Sequence, residues 1–246
     1  MNKKNYNIWE GVYKKKPNNT SFEKSYFSTN KWLSKSVAKT KQYLSFPDEN
    51  HFADNHLDSF CCGLQKKIKI LDFGGGIGDI IFYTKNSFNN LQVTIYEPQN
   101  EIREKGEKIF KKFKNVKFLN DINKINKTKN FDIIYLGSVL QYIFDLDEFL
   151  ELVSKLNFKY LFLYDVMSDK NPNFYSKQVF YGKKMTVKFY NLKYLLKKFN
   201  EFKLKKIFIT NIKRSIKNKI TQPPMHNFKK KYRIQFAKTI ILRNER

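Results

Sequence analysis

The chain has 246 residues, a net charge of +26 and an isoelectric point near 9.8. With 41% hydrophobic and 17% aromatic residues, it can bury a core, so its charge does not mark it as disordered. Two adjacent cysteines, Cys61 and Cys62, and three scattered histidines exclude a disulfide framework and the usual zinc spacings, so no metal site is expected.

Residues 1–27 are polar and aromatic, with a turn at Pro17-Asn18-Asn19-Thr20. Trp32, Leu33, Val37 and Leu44 form an apolar stripe that predicts a helix over 28–44, with Ser28 or Asn30 as its cap. Residues 45–66 read as a loop or short helix. From Lys67 the pattern becomes an alternation of strands and helices. Strands are expected at 68–73, 91–96, 116–119, 131–136 and 160–164, and helices at 78–85, 101–113, 146–156 and 192–199. Two last strands follow at 206–210 and 238–242. Such alternation predicts an α/β fold, a parallel sheet with helices on both faces, closed by an antiparallel hairpin. The expected organisation is an N-terminal arm and helix over 1–66 and one main domain over 67–246.

The strongest local signal is Ile70-Leu71-Asp72-Phe73-Gly74-Gly75-Gly76-Ile77-Gly78-Asp79. A D-x-G-x-G-x-G run directly after a buried strand lets the backbone turn sharply and touch a ligand at the carboxyl edge of the sheet. A dinucleotide site would need a small residue where Asp79 stands, and Asp79 would repel a pyrophosphate. Glu97, at the end of the second expected strand of the main domain, can accept both hydroxyls of a ribose. Asp121, after the third, can take an adenine amino hydrogen.

Glycine loop, Glu97 and Asp121 in this order resemble the class I S-adenosylmethionine-dependent methyltransferases, over about residues 67–242. The resemblance implies a Rossmann-like sheet, mostly parallel with the last strand antiparallel, and S-adenosylmethionine as cofactor. It implies that Asp72, Gly74, Gly76 and Gly78 shape the methionine pocket, under a helix whose N-terminus faces the methionine carboxylate. Glu97 would hold the ribose, and Asp121 with Ile122 the adenine. Trp9-Glu10-Gly11-Val12-Tyr13 and Gly137-Ser138-Val139-Leu140-Gln141-Tyr142, together with 71–75, resemble a narrower bacterial methyltransferase family. That family is encoded among O-antigen, lipopolysaccharide or capsule genes, which implies a sugar or glycan intermediate of cell-surface polysaccharide as acceptor.

A hydroxyl acceptor needs a base. Candidates at strand ends are Ser138, Gln141, Tyr142 and Asp165, with Asp165 first as base or orienting group. Gln141 could hydrogen-bond donor or acceptor, and Ser138 also counts among the cofactor-binding residues. His226 lies on the loop between the last two strands. Trp9 and Tyr13 belong to a lid over the acceptor or to an arm docked on the main domain. The basic excess reads as a polyanionic partner or as codon usage, since Lys is spread along the whole chain. An RNA methyltransferase and a non-catalytic binding module are the alternatives. Position 137–140 lacks the Pro-Pro run of amino-directed DNA methyltransferases, and both cysteines precede the main domain, which argues against cytosine-carbon chemistry. No stretch approaches about 18 apolar residues and no signal-peptide run opens the sequence. A cytoplasmic protein is therefore expected, with membrane-surface contact and oligomeric state left open.

Overall fold

The computed structural model describes residues 8–17, 30–45, 56–64, 67–125, 130–180, 183–216 and 219–246. The elements in chain order are β1 (Trp9–Tyr13), α1 (Asn30–Ser45), α2 (His56–Gly63), β2 (Ile68–Phe73), β3 (Leu91–Tyr96), α3 (Asn100–Phe110), β4 (Val116–Leu119), β5 (Asn130–Gly137), α4 (Leu146–Ser154) and β6 (Asn157–Val166). Then come β7 (Ser168–Asp169), β8 (Phe174–Phe180), β9 (Lys183–Asn191), α5 (Leu192–Glu201), β10 (Leu204–Asn211), the small hairpin β11 (Arg214–Ile216) and β12 (Lys219–Thr221), and β13 (Lys238–Asn244). No helix among the described residues is long and apolar enough to cross a membrane.

The main sheet has seven strands in the order β10-β13-β6-β5-β2-β3-β4. Its pairings from β4 to β6 are parallel, and β13 runs antiparallel to both β6 and β10. This is the mostly parallel sheet with an antiparallel closing strand that the sequence predicts. Its middle strands are apolar because both faces are covered. On one face Leu71, Ile134, Leu136, Leu161 and Leu163 pack with Phe149, Leu150 and Val153 of α4 and with Leu195 and Phe199 of α5. On the other, Ile70, Ile133, Val93, Ile95 and Phe162 pack with Leu57 of α2, Phe110 of α3 and Tyr43 of α1. Side-chain caps fix where α4 and α5 start: Asp145 accepts from the Glu148 N–H, and Asn191 from that of Tyr194.

Two expectations change. The helix predicted over 78–85 is a single 3-10 turn, Asp79–Tyr83, with Gly78 in the left-handed region at φ 102°. A second short turn, Phe88–Asn90, takes up the rest of that connection to β3. The stretch 167–191, to which the sequence reading assigns nothing, holds β7, β8 and β9. They form a second sheet, in the order β1-β8-β9-β7, in which WEGVY is an edge strand. Trp9 is buried edge-on against Phe189, with ring centroids 5.6 Å apart. Met167, Phe174, Val187, Met225, Phe228 and Ile234 complete that core. Tyr142 donates to Gln178 Oε1 at 3.0 Å, tying the small sheet to the loop that follows β5.

Candidate active site

At the carboxyl ends of β2, β3 and β5 lies a cavity of about 400 Å³, within the usual size of small-molecule sites. The glycine loop forms its floor. A Cβ on Gly75 would overlap the Asp72 carboxylate, so a side chain there is excluded by contact. A Cβ on Gly76, at φ +59°, would meet nothing within 4 Å, because it would stand in the cavity itself. The loop's own N–H groups are largely spent: Gly74 and Gly75 donate to the Tyr96 carbonyl, Gly78 to that of Gly75, and Gly76 to Glu97 Oε2.

Glu97 is 5% exposed and accepts from the N–H groups of Gly76 at 3.2 Å and Gln99 at 2.9 Å. A carboxylate has about four lone-pair sites, so two remain for a pair of ligand hydroxyls. Asp72 and Asp79 line the same cavity. Burial pushes all three carboxyls above their usual range. For Asp72 the negative charges of Asp79 and Glu97 add to it. For Asp79 the nearby Lys39 and Thr40 oppose it, and for Glu97 the two N–H bonds and Arg103 do. Among the described residues lining the cavity there is no lysine, arginine or histidine. A chain of net charge +26 thus presents a cavity whose ionisable carboxyls suit a cationic, non-phosphate ligand. The remaining walls are aromatic: Trp32 from α1, Phe73, Tyr83, Tyr96, Tyr135 and Tyr142.

At the far end, Ser138 and Asp165 close two neighbouring strands. Both have φ of 58°, in the left-handed region that costs a non-glycine residue about 1–2 kcal/mol. Ser138 Oγ donates to Asp165 Oδ2 at 2.7 Å, and the Ser138 N–H to the Tyr164 carbonyl at 2.9 Å. Of the two, Ser138 lines the cavity and Asp165 stands behind it.

The structure therefore brings Asp72, Gly74, Gly76, Glu97 and Ser138 together around one cavity. Asp165 stands behind Ser138, and Gln141 holds the Ser138 carbonyl through Nε2 at 2.7 Å. Other expected residues do not line the cavity. Gly78 starts the 3-10 turn, and a Cβ there would strike the Phe110 ring. Asp121 caps the turn Ile122–Lys124 by accepting from the Asn123 N–H, so its carboxylate is engaged locally, and Ile122 packs against the core. His226 is exposed because its neighbours Met225 and Phe228 are the buried residues of that loop. The five-residue 3-10 turn replaces the helix whose dipole the sequence reading invoked. Trp32, Tyr83 and Tyr135 also line the cavity, though in sequence Trp32 reads only as part of a helix stripe and Tyr135 as a core strand residue.

A family model described as "Methyltransferase domain" matches residues 71–156, from the glycine loop to the end of α4. That stretch is thus similar to a methyltransferase domain. No curated protein sequence matches the chain. Solved structures share the fold. A S-adenosylmethionine-dependent methyltransferase from Methanosarcina mazei is 14% identical at a TM-score of 0.54, over 79% of this chain and 98% of that one. Magnesium protoporphyrin IX methyltransferase from Synechocystis, solved with S-adenosylmethionine, is 9% identical at 0.52, over 91% and 96%. The 1,6-didemethyltoxoflavin-N1-methyltransferase of Burkholderia thailandensis, solved with S-adenosylhomocysteine, is 11% identical at 0.52, over 86% and 88%. The architecture around the domain is thus the class I, S-adenosylmethionine-dependent methyltransferase fold.

Proposed function

We propose that this methyltransferase uses S-adenosylmethionine to methylate a sugar or glycan intermediate of cell-surface polysaccharide. The observation that carries the donor is the acid-lined cavity at the glycine loop. S-adenosylmethionine brings a sulfonium and an ammonium group, and the carboxyls of Asp72 and Asp79 supply the opposite charge. Glu97 keeps two lone-pair sites for the ribose hydroxyls, and the space over Gly76 leaves room for the ligand. The aromatic walls support the acceptor class, since Trp and Tyr faces hold sugar rings and their polar edges pair with hydroxyls. The resemblance of 9–13, 71–75 and 137–142 to polysaccharide-locus methyltransferases supports it too.

When bound, the cofactor supplies a methyl carbon activated by its positive sulfur; the protein aligns the acceptor and manages its proton. Ser138 Oγ accepts the acceptor's O–H while its own proton moves to Asp165 Oδ2, 2.7 Å away. Asp165 is thus the final base, acting through Ser138, and Gln141 holds the turn that presents Ser138. The test is methyl transfer from labelled S-adenosylmethionine to a panel of free, nucleotide-linked and lipid-linked sugars, with RNA alongside. Label on a sugar supports the reading. Label on RNA alone would establish the RNA alternative, and cofactor binding with no transfer to any member would point to a non-catalytic module.

A further inference from the structure

The cavity contains one buried donor for which the acids give no use. Tyr135 is 2% exposed and lines the cavity, yet its hydroxyl has no hydrogen-bond partner. It is held in place: Tyr135 sits beside Asp72 in register across β5 and β2, and its ring packs on Phe162 at 5.8 Å. Its oxygen reaches the strand end, where a Cβ on Gly137 would lie 2.7 Å away. Burial, with the phenols of Tyr83 and Tyr164 and the carboxyls of Asp72 and Asp165 nearby, pushes its ionisation far upward. It therefore stays a phenol and can donate a proton to a hydrogen bond.

A buried donor without a partner needs an acceptor atom on a ligand. Position decides which atom. Glu97, on the far side of Asp72, serves the ribose, so Tyr135 faces the amino-acid end of the cofactor. That end carries an ammonium group, which the acids match, and a carboxylate, which they repel. Among the described residues, lining cations are absent, and four N–H groups of the glycine loop are occupied. No lysine, arginine or histidine lines the cavity among the described residues. The N–H groups of Gly74, Gly75, Gly76 and Gly78 are bonded within the protein. Of the cations behind the walls, Arg103 is turned to Glu107 and Asn100, and Lys39 lies over the Phe82 ring at 4.6 Å.

We infer that the Tyr135 hydroxyl donates to the α-carboxylate of S-adenosylmethionine, making a neutral phenol the carboxylate anchor of this site. The inference rests on the proposed cofactor reading. In an acid-lined cavity a cofactor stripped of its carboxylate loses a repelled group, so it should bind more tightly unless the protein supplies a dedicated donor.

The test is calorimetric binding of S-adenosylmethionine and decarboxylated S-adenosylmethionine to wild type and Tyr135→Phe, which removes one oxygen. Wild type should bind the complete cofactor at least tenfold more tightly than the decarboxylated analogue. Tyr135→Phe should lose roughly ten- to a hundredfold for the complete cofactor, the scale of a hydrogen bond to a charged group, and less than about twofold for the analogue. Equal losses for both ligands, or none for either, overturn the inference. So does a wild type that binds both ligands alike, a comparison that stands even if the variant fails to fold. Wild type that binds neither ligand sinks the cofactor reading itself, a distinct outcome.

Discussion

Three carboxyls facing one cavity make the site sensitive to pH. Asp72, Asp79 and Glu97 are all raised, chiefly by burial. Raised acids hold protons more firmly in the fold than in the unfolded chain. Their contribution to stability is therefore full below the ordinary carboxylate value of about 4 and is lost as pH rises through the raised values. A cationic ligand favours the ionised forms, so its affinity should rise with pH over the same window and its binding should release protons. Calorimetry from about pH 5 to 8 in two buffers of different ionisation enthalpy measures both; flat affinity without proton release would show that the acids do not face the ligand. Glu97→Gln removes charge while keeping shape, and should weaken S-adenosylmethionine by about 1.5–3 kcal/mol. Asp165→Asn should leave cofactor affinity unchanged and lower acceptor turnover; unchanged turnover would remove Asp165 from the proton path. At this scale the sequence shows Asp72, Gly74, Gly76, Glu97 and Ser138, because each sits at a strand end whose position follows from the hydrophobic pattern. Trp32 and Tyr135 stay hidden, since a helix stripe or strand pattern does not say which apolar side chain reaches past the core into a cavity. Asp121 carries two readings at once, because a turn's need for a cap and a base's need for an acceptor select the same residue type.

The glycine loop and the small sheet fail in different ways when altered. Gly75→Ala forces a Cβ onto the Asp72 carboxylate and Ile95. It should cost about 1–3 kcal/mol of stability, read as a lower melting temperature. Gly76→Val leaves the packing free but fills the cavity and strains a left-handed position, so cofactor binding should vanish in a protein that still folds. Retained binding would show that the ligand lies elsewhere. Trp9 is buried in the core of the small sheet, so Trp9→Ala should cost about 3–5 kcal/mol. We propose that β1 braces the acceptor side, through β8 and the Gln178–Tyr142 bond, instead of opening and closing over it. Trp9→Ala should then lower melting temperature and acceptor turnover together. Lost turnover at unchanged melting temperature would restore the lid. The strands of the main sheet are legible because a strand covered on both faces is apolar throughout. β8 and β9 are not, because Lys177, Lys183, Lys184 and Lys188 break their apolar pattern and one partner, β1, lies far away in sequence.

For the molecule as a whole, a basic exterior encloses an acidic cavity. The two should respond to salt in opposite degrees. Buried charges are screened little, so affinity for S-adenosylmethionine should change less than about threefold between about 50 and 200 mM salt. Binding of single-stranded RNA to the exterior should collapse over that range. RNA affinity that survives 200 mM salt would instead indicate a dedicated RNA surface. The chain order of the two sheets has a further consequence during synthesis. All strands around the glycine loop, β2 to β5, leave the ribosome in succession and lie within residues 68–137. The Trp9 carbonyl, by contrast, takes a hydrogen bond from Asn227, 218 positions later. At about 5–20 residues per second, Trp9 precedes this partner by roughly 10–40 seconds of synthesis, with its strand partner β8 and Phe189 arriving in between. The small sheet, whose strands come from both ends of this order, is therefore closed only after the strands around the glycine loop are complete.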